Sequence, residues 1–347
     1  MSKKLKKEVE KMKCTILVLT NSKDGEHSNV VITKLRNRGE KVFRFDVDKI
    51  GSSLKVELLI NSGKFECTLF DENKNILRLS EVKSIWYRRP NRFNLNIKDP
   101  VQKNFCESEL LDFLNGLWFS TDGVLWLNNP YNLEKAKKKV LQLNIAREIG
   151  LKIPKTLITN NSKRVEEFFM ECNGKIIYKT MKESFLGYED KGFHIPTTLL
   201  QREHLQKLIL ISSTPSLFQE YIEKSYEVRI TIVGNRIFAA KIDSQSNPLT
   251  SIDWRHPDLI NKIPYEPISI PEEVTVQCHR LMDVLGIQFG ALDFIVNKNN
   301  EYVFLEINPN GQWYWIEHLT GLLISDALCD ILASGISSPK EVKHYDC

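Results

Sequence analysis

Three oxygen-bearing side chains, Asp293, Glu306 and Asn308, interrupt an otherwise largely apolar stretch between Phe289 and Trp313. Two carboxylates and an amide are hard ligands. Such a set suits magnesium, which keeps several waters and binds through one or two carboxylates together with substrate phosphates. The thiols and imidazoles that zinc favours are missing from this stretch. Residues 294–296 and 302–305 are β-branched, aromatic and apolar, and residues 297–300 have turn composition, so a hairpin is expected. Side chains two apart share a face of a strand. Glu306 and Asn308 then point the same way, and Asp293 reaches that face from the partner strand. The segment reads as a site for a divalent metal and nucleotide phosphates. The bland alternative puts Asp293 at a turn or strand edge and Glu306 in solvent. Against it stands the cost of burying an unpaired carboxylate within Val303-Phe-Leu-Glu-Ile307.

The chain that must position these groups has 347 residues, 42% hydrophobic and 27% charged, enough for two or three domains with ample core. No apolar run approaches the roughly 20 residues of a membrane span, and no apolar stretch follows the lysine-rich start to make a signal peptide. The expected compartment is the cytoplasm, with no membrane partner. Seven cysteines without a C-x-x-C pair argue for reduced thiols rather than a disulfide framework or a zinc site. A net charge of +4 is too small to imply nucleic acid. The lysines of residues 1–13 read as a solvated, partly helical extension, or as a contact for an acidic peptide.

Residues 14–20 read as a buried strand, 27–38 as a helix stopped by Gly39, and 41–46 as a second strand, so the chain opens with a β-α-β unit. Strand-like runs follow at 54–60, 65–70 and 84–87. Within this part, Trp86-Tyr-Arg-Arg-Pro90 is either a surface for acidic groups or a pair of arginines, Arg88 and Arg89, held by carboxylates across a domain interface. A basic helix over 133–149 ends at Gly150, and a strand covers 175–179. Residues 184–192, polar and with two glycines, read as a mobile loop. Residues 217–222, 227–233 and 236–242 read as successive antiparallel strands, with Gly234-Asn235 as a tight turn. Helices over 274–285 and 322–332 flank the metal hairpin. The expected division is an extension over 1–13, a first domain over 14–128, a linker helix and central subdomain over 129–213, a C-terminal subdomain with the metal site over 214–335, and a tail over 336–347.

No G-x-x-x-x-G-K-[ST] sequence and no G-x-G-x-x-G after a strand occurs, so phosphates must be held some other way. Four features stand in order: a lysine-bearing helix before Pro154-Lys-Thr156, a lysine ending Ile176-Ile-Tyr-Lys179, Gln219-Glu-Tyr-Ile222 leading into Glu227-Val-Arg229, then Asp293 with Glu306-Ile-Asn308. This order resembles the ATP-grasp ligases over roughly residues 130–335. Thr15-Ile-Leu-Val-Leu-Thr-Asn21, Phe43-Arg-Phe-Asp46, Trp86-Tyr-Arg-Arg-Pro90, Asp253-Trp-Arg255 and Asn308-Pro-Asn-Gly-Gln-Trp313 extend the resemblance over nearly the whole chain. With them it looks like the microviridin-type peptide maturases, the graspetide synthetases. The fold so implied is α/β (α+β), an ATP-grasp fold behind an N-terminal β-α-β pre-ATP-grasp domain.

The resemblance also implies ATP and Mg2+ as cofactors, a ribosomally made precursor peptide of leader plus core as partner, and a homodimer. Asp293, Glu306 and Asn308 would hold the metal. Lys139 and Lys179 would reach the nucleotide phosphates as point charges. Among Lys135, Lys137, Lys138 and Lys139 only the register of the resemblance selects Lys139, and Lys137 is its rival. Glu220, Tyr221 and Ile222 would line the adenine pocket, mostly through backbone groups, and Glu227 would accept from the ribose hydroxyls. The alternative for Glu220 is an ordinary strand-edge residue. Arg229 and Arg255 would face the transferring phosphoryl group, or serve as structural ion-pair partners. Lys241 is a further candidate, expected on the same sheet face as Arg229. The loop over 184–192 would close over the triphosphate, and a leader would bind near residues 185–200.

The reaction implied is ATP-dependent activation of a glutamate or aspartate side chain as an acyl phosphate, then closure of a ring by a serine or threonine hydroxyl or a lysine amine. No protein nucleophile is needed, so no histidine is given a covalent role. Two rivals remain. One is an ATP-grasp ligase adding amino acids to a protein or small-molecule carboxylate. The other is a non-catalytic ATP-binding or peptide-binding module, against which the full Asp293, Glu306, Asn308 set argues.

Overall fold

A computed structural model describes residues 13–335, apart from 91–92, 122, 183–184, 189–190, 207, 256–257 and 260–261, and apart from the side chains of 185–188, 191–194 and 209–210. The lysine-rich arm over 1–12 and the tail over 336–347 lie outside the described residues. The expected opening unit is present as β1 (Thr15–Thr20), α1 (Gly25–Asn37) and β2 (Lys41–Asp46). β1 is buried along its whole length, as its unbroken apolar run requires, and α1 turns Val31, Ile32 and Leu35 inward. An antiparallel meander of β3 (Lys55–Asn61), β4 (Lys64–Phe70) and β5 (Ile76–Arg78) follows. The chain then returns through β6 (Val82–Tyr87), α2 (Pro100–Phe119) and β7 (Leu125–Leu127) to complete a parallel sheet of order β2-β1-β6-β7. The helix α2 was not anticipated, although its start is written in the sequence. Asp99 accepts from the Gln102 N–H at 2.7 Å, and Pro100 fills the first turn, where an N–H would go unused.

The single basic helix expected over 133–149 is two helices, α3 (Pro130–Ala136) and α4 (Lys139–Glu148). Lys138 is extended, with ψ 103°, so the axis restarts and Lys139 becomes the first residue of α4. The middle of the chain then supplies β8 (Thr156–Thr159), α5 (Ser162–Glu171), β9 (Ile176–Lys179), β10 (Phe185–Tyr188), β11 (Lys191–His194), β12 (Thr198–Leu199) and β13 (Ser216–Glu220). The sheet order is β12-β9-β13-β8, with Phe168 and Phe169 of α5 packed on it. Two expectations change here. The polar segment read as a mobile loop contains an antiparallel hairpin, β10 with β11, in which Gly187 faces Gly192. β13, expected beside the next strand of the sequence, pairs instead with β8 and β9. Residues 221–223 therefore cross from one sheet to the next.

That next sheet holds the hairpin that carries Asp293, Glu306 and Asn308. It is built from β14 (Lys224–Val233), β15 (Arg236–Ile242), β16 (Tyr265–Pro267), β17 (Phe289–Asn297) and β18 (Tyr302–Asn308), in the order β16-β15-β14-β17-β18. Helix α6 (Glu272–Leu285) precedes the hairpin, and α7 (Tyr314–Thr320) and α8 (Ile324–Ser334) close the described chain. One sheet face, carrying Val228, Ile230, Leu292 and Phe294, packs on Leu281 and Leu285 of α6 and Ile145 of α4. The other face changes character along β14, reading Val233, Thr231, Arg229, Glu227. At the Val233 end it joins a core shared with the first domain, where Phe289, Trp313 and Leu328 meet Ile16, Val31 and Trp86. At the Glu227 end it is charged. Burial of the apolar end thus holds the charged end in place.

Two buried polar side chains fasten the first domain to this hairpin and the turn that follows it. Asn128 donates to the carbonyls of Phe289 at 2.8 Å and Pro309 at 2.7 Å, and accepts from the N–H groups of Gln288 and Phe289 at 2.7 and 2.9 Å. Both its amide hydrogens and its oxygen are satisfied. Arg88 donates to the carbonyls of Gly311 at 3.0 Å and Asn310 at 3.2 Å, and its Nε lies 3.4 Å from Asp24. Burial pulls its pKa down to about 10, with Asp24 opposing. Of the two readings of Trp86-Tyr-Arg-Arg-Pro90, Arg88 follows the interface one, with its carboxylate partner in its own domain, while Arg89 is exposed. Among the described residues no helix is long and apolar enough to cross a membrane.

Candidate active site

The charged row is set by strand register. Arg229 stands opposite Asp293 across β14 and β17, and Asp293 opposite Glu306 across β17 and β18, so the three side chains share one face. Asn308 lies on the same face, opposite Ala291. The ladder shifts register just after Asp293, a bulge of the kind that re-aims side chains beside active sites. The following turn comes back tightly over the strands. A Cβ on Gly311 would lie 2.7 Å from that of Ala291, so only glycine fits there. The Asn310 N–H donates to Asn308 Oδ1 at 3.1 Å, which fixes the amide.

Cations from three elements converge on this row. Arg229 Nη1 is 2.9 Å from Asp293 Oδ1. Arg255 Nη2 lies 2.8 Å from Asp293 Oδ2 and 3.2 Å from Glu306 Oε1. Lys139 Nζ is 3.1 Å from Glu306 Oε2 and donates to the Thr180 carbonyl at 2.9 Å. Its rival Lys137 is exposed and pairs with Glu134 at 2.6 Å. Burial pushes the Glu306 carboxyl up, but Arg255, Lys139 and Lys179 outweigh it and hold the group below the usual carboxylate range. Burial draws the Lys179 ammonium below its ordinary value, against the pull of Glu306. Buried ion pairs contribute little net stability, because desolvation consumes the Coulombic gain. Such a concentration of charge therefore points to chemistry.

A cleft of about 560 Å³, open mouth included, lies between the central sheet and the C-terminal sheet. Ile177, Ile222, Ile295 and Leu305 give it apolar walls, and Lys179, Arg255 and Glu306 line it as well. Glu220 ends β13 and Tyr221 begins the strap between the sheets. Their N–H groups are taken by the carbonyls of Lys155 at 3.0 Å and Lys175 at 2.9 Å, and Glu220 Oε1 accepts from the Lys155 N–H at 2.8 Å. Both N–H groups are therefore committed within the fold, and only the carbonyls and side chains of these two residues remain to face the cleft. Glu227, two residues along the β14 face from Arg229, is buried and paired at 2.5 Å with Lys224, which also donates to the Ile252 carbonyl. Burial raises the Glu227 pKa, with Lys224 opposing.

Lys241 is corrected. It stands opposite Val228 in the ladder, so it occupies the face away from Arg229, and its ammonium sits 2.5 Å from Glu266 and over the Tyr226 ring. One residue of register is enough to move a side chain to the other face. Three polar groups that hold this region together escaped sequence reasoning: Lys224, Asn128 and Gln142, which donates to the Ile307 carbonyl at 2.8 Å and accepts from its N–H at 3.1 Å. Lys224 left a faint signal, a lysine three residues before a glutamate that must be buried. The other two are single amides without a pattern.

The donor set suits magnesium: two carboxylates and an oriented amide on one face, next to lysines and arginines able to take phosphate oxygens. Among the described residues no group of three or more His, Cys, Asp and Glu is placed to hold a metal ion, so the set here is two carboxylates completed by an amide.

Residues 15–134 match the MvdD pre-ATP grasp domain family. A RiPP-associated ATP-grasp ligase of Chryseobacterium gregarium, solved with ADP and a leader and core peptide, is 29% identical, with a TM-score of 0.86 over 93% of this chain and 98% of that one. The macrocyclase MdnC of Microcystis aeruginosa, bound with precursor peptide MdnA, is 32% identical, with a TM-score of 0.82 over 92% of this chain and 99% of that one. A probable alpha-L-glutamate ligase of Histophilus somni is 21% identical over 209 residues, 60% of this chain and 67% of its own length. The expected pre-ATP-grasp domain and ATP-grasp fold are both present. With 32% identity to a macrocyclase across 92% of its length, this ATP-dependent ligase belongs to the microviridin-type ATP-grasp ligases, the graspetide synthetases.

Proposed function

We propose that the protein closes rings in a ribosomally made precursor peptide, using ATP to activate glutamate or aspartate side chains. A substrate carboxylate oxygen attacks the γ-phosphorus of ATP, and the bond to ADP breaks. A hydroxyl or amine of the same peptide then attacks the acyl carbon, phosphate leaves, and the attacking group loses its proton. Arg229 and Arg255 face the transferring phosphoryl group, Lys139 and Lys179 take phosphate oxygens, Glu227 accepts from the ribose, and Ile222 with its neighbours holds the base. Asp293, Glu306 and Asn308 would hold magnesium, which supplies positive charge to the phosphate oxygens when bound. Catalysis of this type is positioning and electrostatics, with no protein nucleophile.

The observation that carries the reading is the row Arg229, Asp293, Glu306 across three strands, bridged by Arg255 at 2.8 and 3.2 Å beside an apolar-walled cleft. The likeness to MdnC, a macrocyclase bound with its precursor, supports the peptide as substrate. The test is intact mass of a candidate precursor peptide, sought among the short reading frames next to this gene, after incubation with the protein, ATP and magnesium. Loss of roughly 18 mass units per ring with matching ADP is the expected result of condensation by an acyl phosphate. A second reading, addition of free amino acids, is favoured by the likeness to a probable alpha-L-glutamate ligase. It would appear as a mass increase, and that outcome would overturn ring closure.

A further inference from the structure

β18 is the edge strand of its sheet, so its outer backbone groups need partners from outside the ladder. At Phe304 the N–H donates to the Lys152 carbonyl at 2.8 Å. At Ile307 the partner is a side chain. Gln142 of α4, 2% exposed, donates to the Ile307 carbonyl at 2.8 Å and accepts from the Ile307 N–H at 3.1 Å. Its amide thus acts as one residue of a missing neighbouring strand. Its second amide hydrogen goes to the Ala136 carbonyl at 2.7 Å, the last residue of α3. Every strong donor and acceptor of this amide is used.

Ile307 stands between Glu306 and Asn308. The same helix, one turn earlier, presents Lys139 to Glu306 Oε2 at 3.1 Å. One rigid element therefore fixes both the backbone between two candidate metal ligands and the carboxylate of one of them. We infer that Gln142 is a positioning residue for the metal site, holding Glu306 and Asn308 at their spacing by clamping Ile307. The inference rests on the proposed role of Asp293, Glu306 and Asn308. It explains why the basic segment breaks at residues 137–138: the break brings the Ala136 carbonyl to Gln142 and the start of α4 to Glu306.

The experiment uses the full chain with Gln142→Met, an apolar side chain of similar length. Mn2+ affinity is read by electron paramagnetic resonance in the presence of a non-hydrolysable ATP analogue, and analogue affinity is read separately in EDTA. The expected result is metal affinity weakened by about tenfold or more, the usual effect of losing a group that orients a ligand, with metal-free nucleotide affinity within about twofold of the parent. Gln142→Asn, which keeps the amide but is too short to span Ala136 and Ile307, should behave alike and serves if the methionine variant does not fold. Unchanged metal affinity overturns the inference. A proportional fall in both affinities also overturns it, because the amide would then support the whole cleft. Glu306→Gln in the same assay separates the two claims: if it leaves Mn2+ binding intact, the metal-site reading itself is wrong.

Discussion

Glu306 and Glu227 line one cleft and stand on one sheet face, yet their surroundings drive them apart. Burial pushes both carboxyls toward the neutral form. At Glu306, Arg255, Lys139 and Lys179 outweigh it, and the group stays ionised well into acid. At Glu227, Lys224 and Arg255 do not, and the pKa ends above its ordinary value. Residue type is the same, and the number of cations within reach decides the outcome. Glu306 keeps the negative charge that its proposed role as a metal ligand requires, whereas Glu227 depends on its close partner, Lys224 at 2.5 Å.

The largest effect should come from the cation-rich row. Glu306→Gln removes a ligand and strips Lys139 and Arg255 of a carboxylate partner. ADP formation should fall by about a thousandfold, or about 4 kcal/mol of transition-state stabilisation, with the fold retained by circular dichroism. Near-normal turnover would erase the distinction between the two glutamates. Arg255→Lys keeps the charge but cannot bridge Asp293 and Glu306 at once. We expect a loss of about a hundredfold, mostly in kcat, since a planar fork and a point charge are not equivalent.

The hairpin was legible because its signal is local: carboxylates at strand spacing in apolar sequence, then turn residues. Register, once the strands pair, places Arg229, Asp293 and Glu306 without further information. What the sequence hid depends on contacts between distant segments. Lys139 was told from Lys137 only by the register of the resemblance, and the physical reason, the restart of α4 against β18, is not visible in the sequence. The pairing of β13 with β8 and β9 depends on where residues 221–223 turn, and nothing local marks that crossing. Lys241 was misplaced by one residue of register. Asn128 and Gln142 bind backbone groups more than 150 residues away, and a lone buried amide has no pattern to betray it.

A middle-sized effect separates the two glutamates by pH. An acid whose pKa is raised protonates first as pH falls, and one whose pKa is lowered protonates last. If Glu227 contacts the ribose as proposed, the KM for ATP should therefore begin to rise as pH falls while kcat, which depends on the still-ionised Glu306, holds. Glu227→Gln should raise the KM for ATP by about tenfold with little change in kcat, as loss of binding shared by ground and transition states does, and should remove the earlier limb of the profile. A profile in which KM and kcat shift together would mean that the two carboxylates titrate as one unit, and the comparison would fail.

The smallest effect belongs to Lys241, which sits on the opposite face of the same sheet and pairs with Glu266 at a partly exposed surface. An exposed pair is weakened by solvent and salt and typically contributes under about 1 kcal/mol. Lys241→Met should leave turnover within about twofold and the denaturation midpoint nearly unmoved, since no described contact links this ammonium to Asp293 or Glu306. Steady-state kinetics with the precursor peptide is the decisive measurement, because ATP turnover alone would miss a role in holding peptide. If KM for the peptide rose tenfold while KM for ATP stayed fixed, the peptide would have to pass over this outer face. Function would then extend beyond the charged row, and the face of the sheet would no longer separate side chains that meet substrate from those that do not.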